Sequence, residues 1–319
     1  MLEIGKLKLK SNLILAPMAG ITDLPFRMLN RKFGSELAFV EMINCRSVSF
    51  KSRRTKQMLA SLPKDKPLGV QILGSEEQYI LKSLEVLKDY QFNILDFNAA
   101  CPAKKVVRRG EGSGLLRDPK KLKKILKLVV KNSWLPVSIK IRAGWDKDSV
   151  NAKEIALLAQ DCGVNAIFLH GRTKIQAYSG VVDYNIIREV KKILNIPLIA
   201  SGDILSQILA KKMFDETGCD GLAIARGSLG NPWIFEEIKE YLKNGKIIDR
   251  TKEDIAKVTL EHLDSCIDFY GQRNGVIIFR KFYSWYTKGL PKVRRLREKS
   301  SRARTKQELV DIIHKALCG

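Results

Sequence analysis

PLIASGDILSQILAKKMFDETGCDGLAIARG, residues 197–227, holds two short apolar runs, Pro197–Ala200 and Gly221–Ala225, separated by a helix-length segment. Each run closes on a polar, glycine-containing turn: Ser201-Gly202-Asp203 and Ala225-Arg226-Gly227. A run that is apolar at consecutive positions suits a strand buried on both faces, the situation in a parallel sheet covered by helices. The same unit recurs upstream, with candidate strands Leu13–Ala16, Ala38–Glu41, Gly69–Ile72, Ile94–Phe97, Val137–Ile141 and Ala166–Leu169. Helix-start signals lie between them: Asp118-Pro119 reads as an N-cap followed by proline at the first helical position, and Ser75 with Gln78 as a capping box. Eight such units in about 230 residues predict a closed (β/α)8 TIM barrel of class α/β. An open doubly wound sheet is the alternative, and no G-x-G-x-x-G follows an early strand to support it.

The alternation stops near Gly245. Segments 251–271, 275–287 and 305–317 read as helices without strands between them, which predicts a barrel over 1–245 followed by a helical domain over 246–319. The chain carries a net charge of +23, an excess that points to a polyanionic partner, nucleic acid being the commonest. Residues 273–306 hold twelve Lys and Arg against Glu298 alone, and residues 100–135 hold eleven against Glu111 and Asp118. In KKLKKILKLVVK, Leu122, Ile125, Leu126 and Val129 fall at helical spacing, so that segment reads as a helix with its lysines in solvent. Phe279, Tyr283 and Tyr286 are spaced to bury one helix face, leaving Arg280, Lys281 and Lys288 elsewhere on it and Arg294, Arg295 and Arg297 beyond; of these, Arg280, Lys281, Arg294, Arg295 and Arg297 are the candidate contacts to an RNA backbone.

Six cysteines without a C-x-x-C pair and three scattered histidines predict neither a metal site nor a disulfide framework. No 18-residue apolar stretch and no signal-peptide pattern are present, so the expected compartment is the cytoplasm.

Chemistry-bearing residues gather at the C-terminal ends of the candidate strands, the face on which barrels build active sites. They are Pro17, Met18, Ala19 and Gly20; Glu41; Gln71; Asn98 and Cys101; Lys140 and Arg142; His170 and Arg172; and the two turns already named. The turns after strands seven and eight suit a phosphate, with glycines allowing close backbone approach and Arg226 adding a charged donor. Lys140, in S-I-K-I-R, costs burial energy unless an anion meets it: a carboxylate of the barrel, or a cofactor that gains negative charge. Cys101 stands in the polar loop N-A-A-C-P-A-K-K rather than in a core, and G-E-G-S-G at 110–114 reads as flexible enough for a lid.

Together these stretches resemble the tRNA-dihydrouridine synthases, the bacterial B-like branch most of all. The likeness runs through LAPMAGITDLPFR (15–27), VQILGS (70–75), DFNAACPAKKVVRRGEGSGLL (96–116), IKIRAGW (139–145), LHGRTKIQAYSG (169–180), ASGDI (200–204), GLAIARGSLGNPWIF (221–235) and RKFYSWYTKGL (280–290). The resemblance implies an FMN-containing barrel with a helical tRNA-binding domain, reducing the C5–C6 double bond of particular uridines with NADPH. It implies that Pro17, Met18, Ala19, Gln71, Lys140 and His170 line the flavin. Ser201, Gly202, Asp203, Ala225 and Arg226 would hold its phosphate, Cys101 would supply the proton, and Asn98 and Arg142 would hold the uracil. Ala100 stands where the family commonly has glycine, and Ser201 where it commonly has asparagine. Two rival readings remain open: a flavin barrel acting on a free pyrimidine, which leaves the charge without a use, and a non-catalytic RNA-binding barrel, which leaves Cys101 and Lys140 without one.

Overall fold

The computed structural model describes residues 1–318. In chain order its strands are β1 (Leu2–Ile4), β2 (Leu7–Leu9), β3 (Leu13–Leu15), β4 (Leu37–Phe39), β5 (Ile43–Asn44), β6 (Leu68–Leu73), β7 (Ile94–Asn98), β8 (Val137–Arg142), β9 (Ala166–His170), β10 (Leu198–Ser201) and β11 (Gly221–Ile224). Around the sheet run α1 (Leu24–Lys32), α2 (Cys45–Ser49), α3 (Arg53–Met58), α4 (Glu77–Leu87), α5 (Lys104–Val107), α6 (Pro119–Asn132), α7 (Ala152–Asp161), α8 (Tyr184–Ile193), α9 (Gln207–Thr217) and α10 (Ile234–Asn244). Four helices follow: α11 (Lys252–Tyr270), α12 (Gln272–Tyr286), α13 (Arg294–Arg302) and α14 (Lys306–Leu317).

Every neighbouring pair in the order β3-β4-β6-β7-β8-β9-β10-β11 is parallel, and β11 pairs back onto β3, which closes the eight-stranded barrel. All eight strands expected from apolar runs are present. Two small elements carry too few residues for a periodic signal: β5, which pairs with the end of β6, and the antiparallel β1–β2 hairpin. The hairpin closes the N-terminal mouth of the barrel. Its Leu2, Ile4 and Leu9 join Ile14, Leu37, Ile94, Ala166 and Ile199 in one buried cluster. Each of the leucine and isoleucine side chains contributes roughly 1.5–3 kcal/mol.

Inside the barrel the pleat sorts residues by height. The lower layers are apolar, with Phe39 set edge-on to Phe168 at 5.7 Å between ring centres. Gly69 makes room for this pair, since a Cβ there would lie 2.3 Å from the Phe39 ring. Above them the inward positions turn polar: Gln71, Asp96 and Ser138 are all buried. Asn98 pairs with Lys140 across β7–β8, Arg142 with His170 across β8–β9, and Ser201 with His170 across β9–β10. Polar groups are thus confined to the C-terminal end, where a cavity opens.

α6 follows the sequence reading: Asp118 accepts the Lys121 N–H at 3.0 Å, Pro119 is its first residue, and Leu122, Ile125, Leu126 and Val129 are buried. The Ser75–Gln78 capping box does not form. α4 begins one residue later than that motif requires, and Ser75 donates instead to the Arg109 carbonyl at 3.1 Å. Among the last helices α13 escapes the apolar pattern, because RRLREKSSR buries only Ser300. α11 and α12 pack on α1 through Phe26, whose ring stacks on Phe282 at 5.6 Å and meets His262 at 5.9 Å. Phe279, Tyr283 and Tyr286 are buried, as their spacing predicts.

Candidate active site

The cavity at the C-terminal mouth measures about 350 Å³, within the range of small-molecule sites. Pro17, Met18, Ala19, Gln71, Asn98, Cys101, Lys140, Arg142, His170, Ser201, Gly202, Asp203, Ala225 and Arg226 all line it. The structure therefore brings together every barrel residue singled out in the sequence as lining a flavin or holding the uracil, from seven of the eight strands.

The charges inside are strongly perturbed. Burial drives the Lys140 ammonium down to about 8, against the opposing pull of Asp96. Its Nζ donates to Ser201 Oγ at 3.0 Å, and that hydroxyl donates to the Leu169 carbonyl. Ser201 thus serves as an acceptor for the lysine. Burial, reinforced by Arg142, Lys140, Arg172 and Arg226, pushes His170 down to about 2, so the ring is neutral, and its Nε2 is buried without a partner among the described residues. Burial also raises the half-buried Cys101 thiol above its ordinary value, with Arg142 opposing, so it stays protonated at neutral pH.

Asp96 carries no motif of its own, yet it sits beneath these groups. It is fully buried and pushed up to about 6 by desolvation, with Ser138, Gln71 and Lys140 opposing. Its signal in the sequence is a charge on the inward face of β7, two residues before Asn98 in I-L-D-F-N.

Arg142 reaches the cavity with its orientation fixed. Nε donates to the Ala100 carbonyl at 2.8 Å, and Nη1 to those of Thr173 and Ala177, both at 3.0 Å. Ala100 is buried, and its N–H donates to Asn98 Oδ1 at 3.0 Å. Asn98 lines the cavity with its amide engaged at both ends.

The turn after β10 brings Gly202 to φ +117°, and a Cβ there would meet Val182 at 2.8 Å and His170 Nε2 at 3.2 Å. At Gly227 a Cβ would meet the Ile204 carbonyl at 2.0 Å. Only glycine allows these two turns to lie together at the cavity edge. Asp203 spends its carboxylate on Arg172 and on Arg226, the latter at 2.7 Å, so it orients the cation rather than meeting an anion. Tyr178, which has no periodic signal, lines the mouth with its ring 4.8 Å from the Arg226 guanidinium and 5.9 Å from that of Arg142.

The segment read as a flexible lid is packed structure. Gly112–Arg117 is a 3₁₀ helix, Ser113 is fully buried, and its N–H and Oγ donate to the Cys101 carbonyl at 3.1 and 2.9 Å. Glu111 accepts from Asn44 and Arg109. Gly112 serves close approach, a Cβ there lying 2.8 Å from the Cys101 carbonyl.

The C-terminal cations divide in two. Arg280 donates to the carbonyls of Ser301 and Ala303, Lys281 to that of Gly20, and Arg297 to the Oγ1 and carbonyl of Thr287. These three tie elements together, which their sequence positions did not reveal. Arg294 and Arg295 are exposed, with Arg294 3.5 Å from Glu298. A further basic surface has no counterpart in the sequence reading. α2, α3 and the turn between them present Arg46, Lys51, Arg53, Arg54 and Lys56 beside an exposed Phe50, with no acid in the segment. The exposed Lys104, Lys105 and Arg108 stand on and just after the neighbouring α5.

Among the described residues no group of side chains could hold a metal ion, and no helix is long and apolar enough to cross a membrane.

The sequence model of the family described as dihydrouridine synthase (Dus) matches residues 14–318. The chain is 41% identical to a tRNA-dihydrouridine synthase B of Vibrio parahaemolyticus over 90% of its own length and 89% of that protein. It is 39% identical to another of that name from Pseudomonas aeruginosa, covering 94% and 91%. In fold it is similar to a 6-hydroxypseudooxynicotine amine oxidase of Pseudomonas geniculata, with a TM-score of 0.61 at 13% identity, over 83% of this chain and 52% of that one.

Proposed function

The chain belongs to the dihydrouridine synthase family, near its bacterial B members, and we propose that it reduces uridines of tRNA to 5,6-dihydrouridine with FMN as cofactor and NADPH as reductant. The observation that carries this reading is one cavity holding a protonated thiol, a buried ammonium and an unpartnered neutral imidazole, in a chain of this family.

The residues present fit a flavin. His170 Nε2 is an orphaned buried polar atom at the cavity. The Gly202 and Gly227 turns beside Arg226 offer a cradle that a Cβ would fill. In this reading Arg226 and the backbone of Ser201, Gly202, Asp203 and Ala225 hold the phosphate, and Asp203 keeps Arg226 in place. Pro17, Met18, Ala19 and Gln71 line the ring, and Lys140 stabilises negative charge on it. When bound, the flavin supplies hydride to C6 of the uracil. The Cys101 thiol gives its proton to C5, a role open to it because burial keeps it protonated. Arg142, fixed by three backbone carbonyls, presents its guanidinium to the uracil, and Asn98 holds the cysteine loop. The uridine leaves its stack to enter the cavity.

The tRNA backbone lies along Arg294 and Arg295 of the C-terminal helices α11–α14 and along the basic rim of α2, α3 and α5, where phosphates are neutralised without base readout. Purification tests the cofactor: the expected protein is yellow, releases one FMN per chain and is bleached by NADPH. A colourless protein that takes up no added FMN contradicts the reading.

A further inference from the structure

Asn98 and Gln71 form a hydrogen-bonded relay whose direction is set at both ends. At the upper end Asn98 Oδ1 accepts the N–H groups of Ala100 and Cys101 at 3.0 and 2.9 Å. Those groups can only donate, so the amide nitrogen of Asn98 must face the other way, and it donates to Gln71 Oε1 at 2.7 Å. Gln71 Nε2 is thereby turned downward, where it donates to Asp96 Oδ2 at 2.6 Å. The second carboxylate oxygen accepts from Ser138 Oγ at 2.7 Å. An ionised carboxylate only accepts, so the lower end demands the same polarity as the upper. Gln71, Asp96 and Ser138 are at most 1% exposed, so no water competes for these bonds.

We propose that Asp96 is a positioning residue for Cys101: through Gln71 and Asn98, its carboxylate fixes the backbone that carries the thiol. With an acceptor at position 96, the amides have one arrangement that satisfies every group. With an apolar side chain there, Gln71 can flip, Asn98 loses the partner that holds its oxygen toward the loop, and buried polar groups are left unpaired. The Ser113 hydrogen bonds to the Cys101 carbonyl hold the far side of the same residue, so the relay supplies the restraint on its N–H side.

The inference rests on the reading of Cys101 as proton donor for its functional meaning, but its test reads the thiol directly. Alkylation of Cys101 by iodoacetamide is followed by peptide mass spectrometry in the full chain. A Cys318→Ser background removes the exposed thiol, the remaining four cysteines being buried. Asp96→Leu releases the loop and accelerates alkylation on the order of tenfold, the scale of one buried hydrogen bond removed. Asp96→Asn can accept from Gln71 and donate to Ser138, so it stays within about twofold of the parent, a rescue by an oriented acceptor. Gln71→Met breaks the relay in the middle and gives the same release as Asp96→Leu. The Asp96→Leu and Gln71→Met effects do not add in the double variant. If Asp96→Leu does not fold, Gln71→Met carries the test alone. Equal rates in Asp96→Leu and Asp96→Asn, or an unchanged rate in folded Gln71→Met, overturn the proposal. If the rates respond as expected while Cys101→Ala still reduces uridine, the relay stands and only the proton-donor reading fails.

Discussion

At the scale of single residues, the site consists of ordinary side chains whose charge states are moved by burial. Lys140 gives the clearest consequence. Its ammonium is charged below about 8 and neutral above, so any contribution to holding an anionic ligand is present below that value and fades as pH rises through it. Flavin-free protein should therefore bind FMN progressively more weakly from pH 7 to 9, and Lys140→Met should bind weakly with no such slope. A titration in which the variant keeps the parent's slope assigns it to another group. His170, neutral down to about 2, does not change charge in that window. Ser201 accepts from Lys140 through its side chain, whereas Ala100 bonds Asn98 and Arg142 through backbone groups that glycine would supply equally.

At the scale of elements, the connection between α12 and α13 separates structural from substrate-facing cations. Arg297 donates to both the side-chain oxygen and the carbonyl of Thr287, a buried residue that closes α12. Arg297→Ala should destabilise the fold by about 1–3 kcal/mol, seen as a lower Tm. Arg294→Ala with Arg295→Ala should leave Tm unchanged and weaken tRNA binding. Equal melting of the two variants would remove the distinction.

The same elements show what the sequence makes legible. Strands buried on both faces announce themselves as apolar runs, so all eight barrel strands and the polar residues at their ends were readable. α13 was not, because a helix that buries one serine has no apolar period, and a three-residue hairpin strand is too short to show one. G-E-G-S-G misled because glycine reports either flexibility or close approach, and only the packing of Ser113 against Cys101 decides between them. Arg280, Lys281 and Arg297 also hold backbone carbonyls, a structural use that composition does not record.

At the scale of the whole molecule, the +23 charge finds its use in the proposed contact with the tRNA backbone. Clusters of exposed cations stand on α2, α3 and α5, and on α13. Arg53→Glu with Arg54→Glu should lower the salt slope of tRNA binding by roughly 0.7–0.9 for each phosphate no longer neutralised, while FMN content stays at the parent level. An unchanged slope would mark α3 as a solvated face.

The central claim is that this cavity reduces uridine in tRNA with Cys101 as the proton source. Its most direct test is an unmodified tRNA transcript incubated with the flavin-loaded protein and NADPH, then digested and read by mass spectrometry. The expected products are nucleosides that have gained two hydrogens at defined uridines. With Cys101→Ala, single-turnover formation should fall by ~10²–10⁴-fold while NADPH oxidation persists. A transcript returned unchanged by fully flavinated wild-type protein, or undiminished dihydrouridine from the alanine variant, would contradict it.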